Sequence, residues 1–393
     1  MDSAYELVKF IIDTDYSKLP ESMIELAVKD ILDSIGNMIG GCCDERIRKS
    51  EKIVCMLGSD PQCEIFPYQK KVSAPDSAFL MAQMINALDF DDTNERATCH
   101  LGAAILPAAI TASRMRGNVS GEEFINAVAI GLELGSRLGQ CALRRHSDRH
   151  MGGWDYLPLH GVFTSTAVIC KIMKASKTLL HNALGIAYHQ AAGNLICGGI
   201  EPSDSKLLGP GFAVRNGYYS YLFAAEGLTG SKSVFDEYNV SFMYQYHNGL
   251  KEGLTDGLGE LYYAQSLGFK PYACCRGLHS YADAVLRIVK NYHIMPEEII
   301  RIEYGPRLDS LDLYRTTKEN LHPESKHAAQ FSLPWIIACA AVRQSLGILE
   351  FEKEARDDPK LLECAAKCKC NETEGSDIPF AALPVRIITH RGT

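Results

Sequence analysis

Between Asp89 and His100 the chain reads DFDDTNERATCH, with three aspartates, two threonines and a histidine in twelve positions. The runs on either side, FLMAQMIN and AAILPAAI, are apolar and helix-like. A carboxylate beside an imidazole fixes its tautomer, and an imidazole titrates near neutrality, so the stretch could carry a proton to or from a carbon or a hydroxyl. In that reading Asp89 orients His100 or a substrate hydroxyl. Asp89 and Thr93, four apart, would share a face if the segment were helical. The plainer reading is a solvated connection between two helices, with Asp91 or Asp92 as an N-cap.

Three further patches hold residues of the same kinds. In RHMGGWDYLPLHGVFTST (149–166), a loop at Gly152-Gly153 leads to aromatic residues and to His160 at the entry to a helix. In EPSDSKLLGPGFAVRNG (201–217), Lys206 precedes a Gly-Pro-Gly turn and a helix bearing Arg215. A lysine close to helix-start amides suits a carboxylate ligand. In KPYACCRGLHSYADAV (270–285), Arg276 and His279 are three apart and can face one cavity. Taken singly, each has a bland reading as a structural histidine or a surface cation. Taken together, three histidines, a lysine, an arginine and an aspartate suffice for acid–base work on a carboxylate substrate.

The elements that must position these residues are mostly helices. In PESMIELAVKDILDSIGNMIGG, Ile24, Ala27, Val28, Ile31, Ile35 and Met38 recur at helical steps, predicting a helix that buries that stripe and ends at Gly40-Gly41. VSGEEFINAVAIGLELGSRLG predicts another, opened by a capping box at Ser120 and Glu123. Gly131, Gly135 and Gly139 on it predict the close approach of a neighbour, since glycine otherwise weakens a helix. Residues 163–193 and 213–230 continue the helical pattern. Near residue 267 the texture changes. IIRIEYGP alternates Ile300, Ile302 and Tyr304 against Arg301 and Glu303, and LPVRIITHRGT alternates likewise, both as half-buried strands. Helices are expected over 280–292 and 331–347, and KCKCNETEGSDIP (367–379) reads as a loop. The expectation is an all-α helical domain over 1–268 followed by a smaller α+β domain over 269–393. The Arg391-Gly392-Thr393 end resembles a hairpin turn whose return strand is lacking, so this domain is expected to be incomplete at its C-terminus.

Several function classes find no support. The 393-residue chain carries a net charge of −8 and no dense Lys/Arg run, which argues against nucleic acid or an anionic membrane as partner. No uncharged apolar stretch reaches the roughly 18 residues of a membrane span. The start MDSAYELVKF is acidic, unlike a secretory signal. Fourteen cysteines, several within apolar helical runs, read as free thiols of a reducing, cytoplasmic compartment. Cys364, Cys368 and Cys370 follow no standard metal spacing, and no phosphate-binding glycine loop is present, so neither metal nor nucleotide cofactor is expected.

In this order the patches resemble the MmgE/PrpD family, which includes 2-methylcitrate dehydratases, cis-aconitate decarboxylases and iminodisuccinate epimerases. The matching pieces are NALDFDDTNERATCHLGAAILPAA (86–109), LHGVFTSTAV (159–168), SKLLGPGFAVRNGYYSYLFAAEGLTG (205–230), KPYACCRGLHSYADA (270–284) and AAQFSLPWIIACA (328–340). The resemblance implies a large helical domain, a smaller α+β lid domain, a homodimer and no metal. It places the family's aspartate, threonine and histidine on Asp89, Thr93 and His100. Its second histidine falls on His160, its lysine on Lys206 and its lid-domain histidine on His279, with Arg276 in the frequent Cys-Cys-Arg position. The chain departs from the family at His100-Leu101, where many members have His-Pro, and around His160, where the usual His-Pro-Thr-Gly is absent. In the implied chemistry His100, His160 and His279 move protons, Asp89 fixes a tautomer, and Thr93, Lys206 and Arg276 hold substrate carboxylates. The first expectation is dehydration of a small di- or tricarboxylate such as 2-methylcitrate. Decarboxylation of a cis-aconitate-like acid, epimerisation of an imine diacid and a catalytically silent scaffold are the alternatives.

Overall fold

The computed structural model describes residues 1–143, 153–197, 201–307, 312–376 and 383–392. Residues 149–152 of the second patch and 377–379 of the expected loop lie outside them. Contacts divide the chain into two units: Met1–Asn194 with Leu207–Phe269, and Leu195–Lys206 with Lys270–Thr393. The architecture is mainly α, with a large helical part and a smaller α+β part. Among the described residues no helix is long and apolar enough to cross a membrane.

The first unit runs α1 (Ala4–Asp13), α2 (Glu21–Gly41), α3 (Glu45–Leu57), α4 (Ala74–Asn86), α5 (Gly102–Arg116), α6 (Gly121–Leu143), α7 (Tyr156–Ile172) and α8 (Lys177–Tyr188). Helix α9 (Ser205–Ala225) follows, then α10 (Phe242–His247). Two short antiparallel ladders join it, β1 (Cys63–Ile65) with β2 (Lys70–Val72) and β3 (Thr93–Asn94) with β4 (Leu267–Gly268). Helices α4, α5 and α7 form the centre, and α2 and α6 flank them. All of α4 from Ala74 to Asn86 except Asp76 is buried, and so is α7 except Lys171. Helices apolar all round belong in a core. The polar residues of α7 comply because Thr164, Ser165 and Thr166 bond back to the carbonyls of Gly161 and Val162.

The capping box of α6 forms as read, with Glu123 N donating to Ser120 Oγ at 3.1 Å and Ser120 N to Glu123 Oε2 at 3.0 Å. The glycine stripe also does what its spacing asks. A Cβ on Gly131 would lie 2.6 Å from Val168 of α7, and one on Gly139 would lie 2.6 Å from backbone atoms of Ala97. Helix α2 corrects the sequence reading. Its buried residues are Met23, Ala27, Asp30, Ser34, Asn37, Met38 and Gly41, while Val28 is 46% exposed and Ile24, Ile31 and Ile35 are half-buried. The helix is turned so that a polar stripe faces the Asp91-Asp92 segment, whose buried groups need polar neighbours.

In the second unit β5 (Ile299–Tyr304) is the middle strand of a three-stranded sheet. It pairs parallel with β6 (Cys368–Cys370) and antiparallel with β7 (Val385–Thr389). Helices α11 (His279–Asn291), α12 (Lys318–Leu321), α13 (Lys326–Gln330), α14 (Leu333–Arg343), α15 (Lys353–Arg356) and α16 (Pro359–Ala366) complete it. Two expectations are corrected. The register shifts between Ile299 and Arg301, so Ile299 is buried and Ile300 turns outward. Cys368–Cys370 is a strand rather than loop, because β5 offers it a parallel partner.

Candidate active site

The Asp89–His100 segment is neither helix nor solvated loop. Asp89 has φ +48°, a left-handed value, and Thr93 lies in β3, so the helical pairing of the two is replaced by a turn and a short strand. Asp89, Asp91, Asp92, Thr93 and Asn94 are all buried. Some of their polar groups are engaged by neighbouring side chains. Asn86 Nδ2 donates to Asp91 Oδ2 at 2.8 Å, and Ser136 Oγ accepts from Asn94 Nδ2 at 2.9 Å.

Asp92 is the organiser of the segment. Its two carboxylate oxygens accept from Leu101 N at 2.8 Å and Gly102 N at 2.9 Å, capping the start of α5. Its backbone carbonyl lies 2.6 Å from His100 Nδ1. A carbonyl only accepts, so Nδ1 carries the hydrogen and neutral His100 holds its lone pair on Nε2. The tautomer of His100 is thus set by the Asp92 carbonyl, where the sequence reading assigned that task to Asp89. The N-cap alternative and the acid–base reading meet in one residue. Near this loop stands Asp155, whose charge acts on Cys99 and whose side chain caps α7 by accepting from Leu157 N at 3.1 Å.

His160 sits in the second turn of α7 and is fully buried. Its Nε2 is 3.2 Å from Nε2 of His247, the last residue of α10, and both rings stack on Tyr156. Burial and the neighbouring imidazole hold its pKa well below the usual histidine value, so His160 is neutral. His247 was not legible in the sequence, because a lone histidine in FMYQYH has no spacing relation to His160.

In the second unit His279 opens α11, buried, with Nε2 3.1 Å from the Cys274 carbonyl and the Tyr272 ring edge-on at 5.2 Å. Its Nε2 therefore carries the hydrogen. Arg276 is half-buried in the 3-10 turn just before it. Tyr314, absent from the sequence reading, donates its hydroxyl to the Gly277 carbonyl at 3.3 Å. Lys206 lies over the Phe331 ring at 5.2 Å, and His327 Nε2 is 3.2 Å from the Cys197 carbonyl. The segment 195–206 thereby packs with the second unit.

Among the described residues no three His, Cys, Asp or Glu side chains are placed to hold a metal ion. Burial pushes the Cys364 and Cys370 thiols up to about 11.

The MmgE/PrpD N-terminal domain model matches residues 5–251, and the MmgE/PrpD C-terminal domain model matches 272–393. Three relatives align over most of the chain. A cis-aconitate decarboxylase-like protein, oryM, of Aspergillus oryzae is 26% identical over 98% of this chain and 82% of its own length. The cis-aconitate decarboxylase of Aspergillus terreus is 26% identical over 91% and 76%, and that of Mus musculus 23% over 93% and 75%. Both family models together span nearly the whole sequence, and the chain belongs to the MmgE/PrpD family of enzymes.

Proposed function

We propose that this protein is a lyase that releases carbon dioxide from a small tricarboxylate of the cis-aconitate type, with His100 as the proton carrier. The observation that supports the chemistry is the 2.6 Å bond from His100 Nδ1 to the Asp92 carbonyl, which puts the lone pair of the neutral ring on Nε2. The substrate class is supported by the relatives named cis-aconitate decarboxylase, which align over nine-tenths of the chain.

The reaction is an allylic decarboxylation. The bond to the carboxylate of the methylene arm breaks and its electron pair stays on carbon. That pair passes through the adjacent double bond, which moves, and the far carbon takes up a proton. One carbon dioxide leaves and one proton enters per turnover. His100 Nε2, charged from solvent, delivers that proton. Lys206 and Arg276 are assigned to the substrate carboxylates, the guanidinium by its two-pronged geometry. Thr93 and Asp89 are assigned to hydrogen bonding at the substrate. His279, with its hydrogen committed to Cys274, is assigned a second proton-accepting role at Nδ1. His160, neutral and enclosed, is assigned to positioning the start of α7. The active species is proposed to be a homodimer.

Incubation with cis-aconitate in heavy water, followed by NMR and carbon dioxide detection, tests this. Carbon dioxide and a product carrying one carbon-bound deuterium are expected. An alkene formed from 2-methylcitrate with no carbon dioxide from cis-aconitate would establish a dehydratase instead. Deuterium exchange into an imine diacid without net product would establish an epimerase, and no turnover of any of these acids a scaffold.

A further inference from the structure

The turned face of α2 poses a problem of charge. Asp30, Ser34 and Asn37 lie on it at steps of four and three, all buried. Asn37 is satisfied by Asp33 and by the Phe90 carbonyl. Asp30 is not, since among the described residues neither of its carboxyl oxygens has a hydrogen-bond partner, and Ser34 Oγ has none either. Two of these orphaned oxygens, Asp30 Oδ1 and Ser34 Oγ, lie against the first residue of α5. A Cβ on Gly102 would run into Ser34 Oγ and would lie 3.0 Å from Asp92 Oδ1 and 3.1 Å from Asp30 Oδ1. Glycine at 102 is what allows two aspartates and a serine to crowd around one helix start.

We infer that Asp30 and Asp92 hold one proton between them, seated on Asp30, and that Asp30 is thereby a positioning residue for His100. Asp92 accepts two backbone N–H bonds at a helix N-terminus, which favours its carboxylate. Asp30 receives no such bond. The charges acting most strongly on it are Asp92, Asp33 and Asp91, all acids, and burial pushes its carboxyl well above the usual range. Burial and Asp91 push Asp92 up to about 8, against the pull of its N–H bonds.

Among the described residues no cation is among the charges that act most on Asp30, and Arg46 of α3 is held by Asp44 and by the Ala87 carbonyl. Helix α2 contributes Asp33, and the loop contributes Asp89, Asp91, Asp92, Cys99 and His100. The start of α7 brings Asp155 toward Cys99. Helix α4 presents Asn86, which is engaged by Asp91. At this end α5 presents only its backbone N–H groups, its arginines being in the last turn. On α6 the buried charges Glu133 and Arg137 are closed on each other at 2.6 Å. Loss of the proton would therefore set two like charges in a closed space. Because Asp92 uses its side chain to cap α5 and its carbonyl to hold His100, any displacement of that residue passes straight to the imidazole.

The inference rests on the proposed role of His100 for its effect on turnover, but the proton can be sought without activity. Infrared spectra of the intact protein near pH 7 should show the carbonyl stretch of a protonated buried carboxyl, lost only at alkaline pH and absent from Asp30→Asn. The downfield imidazole N–H resonance of His100, identified by its loss in His100→Gln, should disappear from the wild type over the same alkaline range in which the band is lost and persist in Asp30→Asn, which stays neutral. If cis-aconitate is turned over, the alkaline limb of the kcat profile should move upward in the same variant. Absence of the carboxyl band, or an unchanged pH response of the His100 resonance in Asp30→Asn, would overturn the inference. Should that variant not fold, the wild-type spectrum alone decides. Failure of turnover with the band present would count against the proposed reaction and leave the shared proton standing.

Discussion

At the scale of single residues, the structure separates two histidines that look alike in the sequence. His100 is half-buried and tied to a carbonyl by Nδ1, whereas His160 is enclosed with His247 among aromatic rings. His100→Gln should lower kcat by about 10²–10⁴-fold, the range for a lost general acid or base, with an unchanged circular dichroism spectrum. His160 bears on stability. Its folded pKa is depressed, so the unfolded chain binds a proton that the folded chain refuses, and the contribution of His160 to stability is lost as pH falls below about 6.5. Denaturant melts should lose at most about 1.4 kcal/mol per pH unit there from this group, and the double change His160→Leu with His247→Leu should remove that slope.

At the scale of elements, α6 and α2 make opposite use of glycine. Gly139 lies against the backbone of Ala97, three residues before His100. Gly139→Ala should cost about 1–3 kcal/mol in chemical denaturation and reduce activity along with it, since the loop must shift. Gly36 on α2 is exposed and has nothing within 4 Å of a would-be Cβ, so Gly36→Ala should stabilise by about 0.5–1 kcal/mol in the same assay. Both glycines lie in well-read helices, but only one of the two faces was legible. The stripe of α6 was, because nothing but close packing justifies three glycines four apart. The stripe of α2 was not, because its isoleucines fit a helical period as well as its buried aspartate, serine and asparagine do.

At the scale of the molecule, long-range polar ties hold remote segments of the first unit together. Buried Arg137 pairs with Glu133 and donates to the carbonyls of Gly253, Asp256 and Leu261, while Glu133 accepts from the amides of Tyr263 and Ala264. Arg137→Met should cost about 3–5 kcal/mol, measured by urea unfolding, because Glu133 would be left buried without its partner. Thiol chemistry gives a second global check. Of the fourteen cysteines, Cys43 and Cys55 are exposed, while burial raises the pKa of Cys170, Cys339 and Cys368. A native-state thiol titration should modify Cys43 and Cys55 first and reach the buried thiols only on unfolding.

What the sequence determined by itself was what is written in neighbours. Helical periods, the capping box at Ser120 and Glu123, the alternation of the closing strand and the ordered patches that carry the family resemblance all depend on residues within a few turns of one another. What only the tertiary structure decided depends on residues far apart in the chain: Asp30 against Asp92, His160 against His247, Arg137 against the 253–261 carbonyls. A buried polar atom must be satisfied or neutralised by whatever lies nearest in space, and no local pattern says which residue that is. For that reason DFDDTNERATCH stood out by its residue types alone, while only the folded chain shows that the carbonyl of Asp92 meets His100 Nδ1.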